Sequence, residues 1–237
     1  VSPATPSPRA VDFDLAAFLQ QTLDALGLEF TPQQRQQLLD YTALLQRWGR
    51  VFNLTAVRDV EGIARQHLAD CLAALPSMTR QHPRRLLDVG SGAGLPGIVF
   101  AIALPDVDIH LVDAVQKKCA FLQQTCGSLG LRHVQVHHAR IEALRDAAGF
   151  DCITSRAFSD LPAFVHATAQ VLAPGGQWCA MKGRPPLAEI AALGPAYACR
   201  VEELRVPGLA AQRCLVWVQR TSAPDDALAT PAMPAAQ

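Results

Sequence analysis

The residues of this 237-residue chain best suited to chemistry stand in one stretch, Leu86-Leu87-Asp88-Val89-Gly90-Ser91-Gly92-Ala93-Gly94-Leu95-Pro96-Gly97. An apolar run of strand length meets a turn with glycine at every second position, and an apolar helix from about Leu95 to Leu104 follows. A glycine turn at the carboxyl end of a parallel strand is a nucleotide-type site. The missing side chains let the backbone approach a ligand, and positive φ costs glycine nothing. Pro96 falls where a first-turn proline is tolerated, because its absent N–H has no helical partner to lose.

Two chemistries fit the turn. From Gly92, the segment Gly92-Ala93-Gly94-Leu95-Pro96-Gly97 spells the dinucleotide fingerprint, and Asp113 follows 21 residues later, near the ribose-binding offset. From Asp88 it reads acidic-x-Gly-x-Gly-x-Gly, the pattern of a class I S-adenosylmethionine-dependent methyltransferase. Asp113 serves both, since a carboxylate at the end of the second strand accepts both ribose hydroxyls of either cofactor. Glycines also make plain tight turns, which need no ligand.

The elements that must position this turn follow from periodicity. Apolar positions Leu15, Phe18, Leu19, Thr22, Leu23 and Leu26 keep helical spacing between Phe13 and Leu26, and Gly27 ends the run. Thr31-Pro32-Gln33-Gln34 is a capping box opening a helix that reaches Gly49, and a third helix is expected from Asp59 to about Leu75. Beyond the turn, strands are read at Val107–Val112, His133–His138, Phe150–Ser155 and Gln177–Lys182. Helices are read at Ala114–Leu129, Leu161–Leu172 and Leu187–Leu193. Such alternation implies a parallel, doubly wound sheet. The last two strands, Tyr197–Val206 and Arg213–Gln219, are joined too closely for a parallel crossover and should pair antiparallel.

The expected fold is therefore α/β: a Rossmann-like class I methyltransferase with a mostly parallel sheet, a C-terminal antiparallel hairpin and a small helical N-terminal subdomain. Residues 1–11 and 222–237, rich in proline and small residues, are expected as disordered tails. Residues 12–80 form the helical subdomain and 81–221 the cofactor-binding domain. The 21 basic and 21 acidic residues cancel, so no whole-chain field drives the protein onto nucleic acid. Between Thr31 and Arg85, however, eight Arg and no Lys stand against four acidic residues. Seven scattered cysteines without a C-x-x-C pair read as buried small hydrophobes in a reducing cytosol, not as a disulfide frame or zinc site. His137 and His138 are adjacent in a strand, so their rings face opposite ways and do not easily share a metal. No apolar span of membrane length occurs.

From about Thr31 to Gln219 the chain resembles the bacterial 16S ribosomal RNA guanine-N7 methyltransferase G family, also called glucose-inhibited division protein B. The resemblance is carried by Arg47-Trp48, Asn53-Leu54-Thr55-Ala56-Val57-Arg58-Asp59, Arg65-Gln66-His67-Leu68-Ala69-Asp70, the glycine stretch, Ser155-Arg156-Ala157-Phe158 and Met181-Lys182-Gly183. Gly94-Leu95-Pro96-Gly97 is more specific than bare glycine spacing. The resemblance implies S-adenosylmethionine as cofactor, bound by Gly90, Gly92, Gly94, Leu95, Asp113, Ile141, Glu142 and Arg156. It implies 16S rRNA or the small ribosomal subunit as partner. Arg58, His67, Lys182 and Arg184 are candidates for the RNA side because they flank the cofactor face of the expected fold. No metal, no membrane association, a cytoplasmic location and a monomer are expected.

Blander roles stand beside these. Glu142 reads equally as an exposed helix-start carboxylate, His67 and Asp70 as a surface pair at i and i+3, and Lys182 as a side chain snorkelling from the core edge. Arg156 is harder to dismiss, because it follows a central strand where α/β folds place ligands. Guanine N7 carries an accessible lone pair, so the reaction requires alignment and no general base, and no catalytic residue is nominated. A methyltransferase acting on a small molecule or protein, and a dinucleotide-dependent oxidoreductase or regulatory module, are the competing readings.

Overall fold

The computed structural model describes residues 13–52, 54–156, 158 and 160–221; both expected tails lie outside the described residues. Helix α1 (Leu15–Leu26) starts where the Asp14 carboxylate accepts the Ala17 N–H at 2.9 Å, and it stops at Gly27 in the left-handed region. Helix α2 (Pro32–Phe52) opens with the expected reciprocal box. Thr31 Oγ1 accepts the Gln34 N–H at 3.2 Å, and Gln34 Oε1 accepts the Thr31 N–H at 2.9 Å. Asp59 caps α3 (Val60–Ile63), which runs through a π turn (Ala64–Leu68) into α4 (Ala69–Arg80). The third helix therefore outruns its expected end near Leu75, crossing Pro76. Burial of Ser77 and Met78 outweighs the one backbone bond that the proline removes.

Seven strands form one sheet: β1 (Arg85–Val89), β2 (Asp108–Asp113), β3 (Val134–His138), β4 (Phe150–Ser155), β5 (Leu172–Lys182), β6 (Tyr197–Leu204) and β7 (Arg213–Arg220). Their order is β3-β2-β1-β4-β5-β7-β6. The first five are parallel, and β7 pairs antiparallel with both β5 and β6. The order reverses beside β1, the switch point at which open α/β sheets bind ligands. Helices α5 (Gly97–Ala103), α6 (Gln116–Leu129), α7 (Leu161–Thr168) and α8 (Leu187–Leu193) complete the layers.

A boundary in the sheet also differs from expectation. The helix from Leu161 ends at Thr168, a short 3-10 turn covers Ala169–Val171, and β5 begins at Leu172, not Gln177. Leu172 pairs with Phe150, after which the register shifts and Gln177 pairs with Cys152. Pro174, Gly175 and Gly176 disfavour helix, so the chain enters the sheet early through an irregularity.

Alternation along the strands divides the core into two layers. Leu86, Ile109 and Leu111 face α1, α2, α4, α5 and α6, whereas Leu87, Val112 and Ile153 face α7 and the 3-10 turn Ile141–Ala143. The N-terminal helices thus share a core with the sheet. Six of the seven cysteines are buried, Cys199 is half-buried, and all are free thiols.

Candidate active site

The glycine turn leaves β1 beneath a ring of backbone bonds. Gly90 and Ser91 N–H groups both donate to the Val112 carbonyl, tying the turn to the end of β2. Gly90 has φ +69°, and nothing stands within 4 Å of where its Cβ would be, so the backbone faces open space. At Gly97 the need for glycine is different: a Cβ would lie 2.3 Å from Leu111 Cδ2 and 2.7 Å from Asp88 Oδ2. That close approach lets the Gly97 N–H donate to Asp88 Oδ2 at 3.1 Å. Pro96 precedes this helix as its N-cap instead of occupying the first turn.

Asp88 is completely buried, and its Oδ1 has no hydrogen-bond partner. Burial raises its carboxyl to about 7, with the Gly97 N–H only partly opposing. Asp113, at the end of β2, accepts the Gly92 N–H at 2.9 Å through Oδ2 and the Val115 N–H at 2.8 Å through Oδ1. Each oxygen keeps a second lone pair, so the carboxylate that braces the turn still has acceptor capacity.

Two cavities open at this edge of the sheet. The smaller, about 220 Å³, is lined by Gly90, Asp113, Ile141 and Glu142 among the expected cofactor residues, together with Arg140 and Phe158. Gly92 reaches it through its bond to Asp113, while Gly94 and Leu95 lie under the turn. Gly94 packs against Leu122 and Tyr41, and Leu95 is buried in the core. An open glycine backbone, a carboxylate and the apolar walls of Ala114, Ala139 and Ile141 match the ribose and adenine parts of an adenosyl cofactor.

The larger cavity, about 350 Å³, contains Arg156, which therefore stands apart from the other expected cofactor residues. Arg156 and Phe158 are two positions apart after β4 and line different cavities, so both cavities draw on the segment that leaves the carboxyl end of that strand. Arg156 Nη1 lies 3.2 Å from His67 Nδ1 and 3.6 Å from Asp70 Oδ2; Arg213 Nε lies 3.0 Å from Asp70 Oδ1. Burial, aided by the Arg156 charge, lowers the His67 imidazole to about 4. Burial also raises the Asp70 carboxyl, against the pull of Arg156 and Arg213. Lys182 lines the same cavity and pairs with Glu189 at 2.9 Å. Arg184 is exposed two residues further on, and Arg58 is exposed before α3 and lines neither cavity.

Residues that sequence reasoning did not select complete the site. Tyr41 on α2 donates its hydroxyl to the Ala93 carbonyl at 2.6 Å, fully buried, and so braces the glycine turn from the helical side. Arg213 reaches Asp70 from β7. Neither carries a local motif; only the fold brings them to the turn. At the opposite edge of the sheet, Arg85 bridges Asp108 and Asp146, and His110 stacks on His137. His138 turns the other way, toward the Ala114 carbonyl. Among the described residues no group of three His, Cys, Asp or Glu could hold a metal, and no helix is long and apolar enough to cross a membrane.

The profile of a family described as rRNA small subunit methyltransferase G matches residues 34–216. Proteins of that name from Methylibium petroleiphilum and Acidovorax ebreus are 50% and 49% identical over 210 and 213 residues. These matches span 87% and 85% of this chain and 95% and 93% of the relatives. Among solved structures, a predicted O-methyltransferase from Agrobacterium tumefaciens aligns with TM-score 0.52 and 22% identity, over 65% of this chain and 81% of its own. A ribosomal protein L11 methylase from Lactobacillus delbrueckii aligns with TM-score 0.50 and 18% identity, over 64% and 78%. The structural neighbours establish a class I methyltransferase fold.

Proposed function

This chain belongs to the rRNA small subunit methyltransferase G family, and we propose that it transfers the methyl group of S-adenosylmethionine to N7 of a guanosine in 16S rRNA. The observation that carries the reading is that residues just after β4 line two cavities, Arg156 the larger and Phe158 the smaller. One offers an open glycine backbone and a carboxylate; the other is lined by Arg156, Lys182 and Arg213 against Asp70, with Glu189 paired to Lys182, which leaves one positive charge in excess. That excess of positive charge suits a polyanion although the whole chain is neutral.

The cofactor supplies an electrophilic methyl on a sulfonium. Asp113 accepts the ribose hydroxyls, the Gly90 turn lets the backbone close on the cofactor, and Ile141 and Glu142 flank the adenine. Gly92, Gly94 and Leu95 keep the turn in shape. N7 would attack with its own lone pair while the sulfonium S–CH3 bond breaks and S-adenosylhomocysteine leaves with the electron pair of that bond, so no residue need remove a proton first. His67, held neutral down to about pH 4, adds no charge to the larger cavity. Alignment of N7 with the methyl carbon is the catalytic task, and well-placed reactants gain on the order of 7–11 kcal/mol from such positioning. Arg156 serves this purpose from the wall of the larger cavity by contacting phosphate or O6, because a donor on N7 would tie up the attacking pair. Lys182, Arg184 and Arg58 contact the RNA outside the base.

Incubation with methyl-labelled S-adenosylmethionine and unmodified small-subunit RNA, free or assembled into particles, followed by mapping of N7-methylguanosine, tests the reading. Label at one guanosine is expected. Turnover on proteins or small molecules with no labelled guanine would overturn it.

A further inference from the structure

Building on the guanine-N7 reading, we propose that His67 and Asp70 read the Watson–Crick edge of the acceptor base in the larger cavity, as a donor–acceptor pair that selects guanine over adenine. Arginine has no acceptor, so the contact of Arg156 Nη1 with His67 Nδ1 makes Nδ1 the acceptor and places the ring hydrogen on Nε2. Nε2 is buried and has no partner. Asp70 Oδ1 is also buried without a hydrogen bond: Arg213 Nε stands 3.0 Å away as an ion pair, but off the hydrogen-bonding direction. A buried donor without a partner and a buried acceptor held only by an ion pair thus stand on residues three positions apart, and both residues line the cavity.

The pattern names its occupant. Guanine presents the O6 acceptor beside the N1–H donor, whereas adenine presents the N6 donor beside the N1 acceptor. His67 Nε2–H donating to O6, with Asp70 Oδ1 accepting from N1–H, matches guanine and opposes adenine at both atoms. N7 stays free for the methyl. A phosphate or carboxylate in the same place would satisfy His67 and leave Asp70 facing another acceptor, which favours a base over an anion. Both atoms are screened from water in the free protein, so engaging the base requires side-chain movement: Arg213, 26% exposed, shifts off Oδ1, and the cover over Nε2 opens with it.

The test compares small-subunit RNA carrying guanine or 2,6-diaminopurine at the methylated position. Both bases offer N7 and the 2-amino group, but diaminopurine inverts the two atoms read here. The unaltered protein should prefer guanine by about 10- to 100-fold in kcat/KM. Asp70→Asn, whose amide both donates and accepts, should lower turnover on guanine and shrink the preference by about fivefold or more. Calorimetric binding of S-adenosylhomocysteine should stay unchanged. If Asp70 only held Arg156 and Arg213 in place, both substrates would slow together and the ratio would not move; an unchanged ratio therefore overturns the proposal. Should Asp70→Asn fail to fold, the same ratio is read in His67→Gln, with the same two outcomes. Absence of any guanine methylation by the unaltered protein would remove the guanine-N7 reading itself, and this pairing with it. Methylation of guanine with an unshifted ratio removes only the pairing.

Discussion

Asp88→Asn replaces a buried carboxyl with a neutral group of the same shape, and it should stabilise the protein increasingly as pH rises. Asp88 Oδ2 accepts the Gly97 N–H at 3.1 Å, an interaction that an amide oxygen preserves, and Oδ1 has no partner to lose. Burial raises the folded-state pKa from 3.8 to about 7. Between these values the folded protein holds a proton that the unfolded chain releases, so stability falls as pH rises. The loss is absent below about pH 4 and complete above about pH 7. Three pKa units at about 1.4 kcal/mol each give roughly 4 kcal/mol at full extent, of which about 2.5 kcal/mol develops between pH 5 and 8. For a chain of this size that is a change of roughly 5–10 °C in melting temperature. Calorimetric melts of both proteins without cofactor provide the assay, and carboxylates common to the two cancel in the difference. The melting temperature of Asp88→Asn minus that of the parent should grow by this amount from pH 5 to 8. A constant or shrinking difference would refute the argument that burial, and not a hidden partner, governs Asp88.

Three further substitutions probe the same turn, and a fourth in α6 serves as a control. Tyr41→Phe keeps the ring but leaves the Ala93 carbonyl without its 2.6 Å donor, at a cost of about 1–3 kcal/mol in denaturant unfolding. It should also weaken S-adenosylhomocysteine binding, although Tyr41 lines neither cavity; unaltered affinity would show that the brace does not shape the turn. Gly97→Ala forces a Cβ against Leu111 and Asp88 and should destabilise by about 1–3 kcal/mol. Gly127→Ala, in α6 with nothing within 4 Å of its Cβ, should instead gain about 0.5–1 kcal/mol, and equal effects at the two glycines would sink the packing argument. Asp113→Ala should lower cofactor affinity about 10- to 100-fold, at roughly 1.4 kcal/mol per decade, with turnover largely restored at saturating cofactor. Calorimetry showing the same affinity as the parent would exclude the ribose contact.

Local chemistry was legible in the sequence because it depends on neighbours in the chain. The Thr31–Gln34 box, the end of α1 at Gly27, the glycine turn and the closely joined β6 and β7 each follow from a few adjacent residues, and the structure has all of them. Gly90 and Asp113, expected at the cofactor site from strand-end positions, line one cavity for the same reason. The extension of α4 past Pro76 was hidden because an interior proline reads as a helix stop, and the π turn because Ala64-Arg65-Gln66-His67-Leu68 carries no local signal that sets it apart from an α-helix.

Tertiary structure alone decided what meets what. Tyr41 finds Ala93 across 52 positions, and Asp70 meets Arg156 and Arg213 only because α4, β4 and β7 converge at one edge. The same convergence puts Arg156 in the larger cavity and leaves Arg58 in neither. Such contacts carry no local signature, since their energy comes from desolvation and pairing that exist only after the sheet has brought distant side chains together.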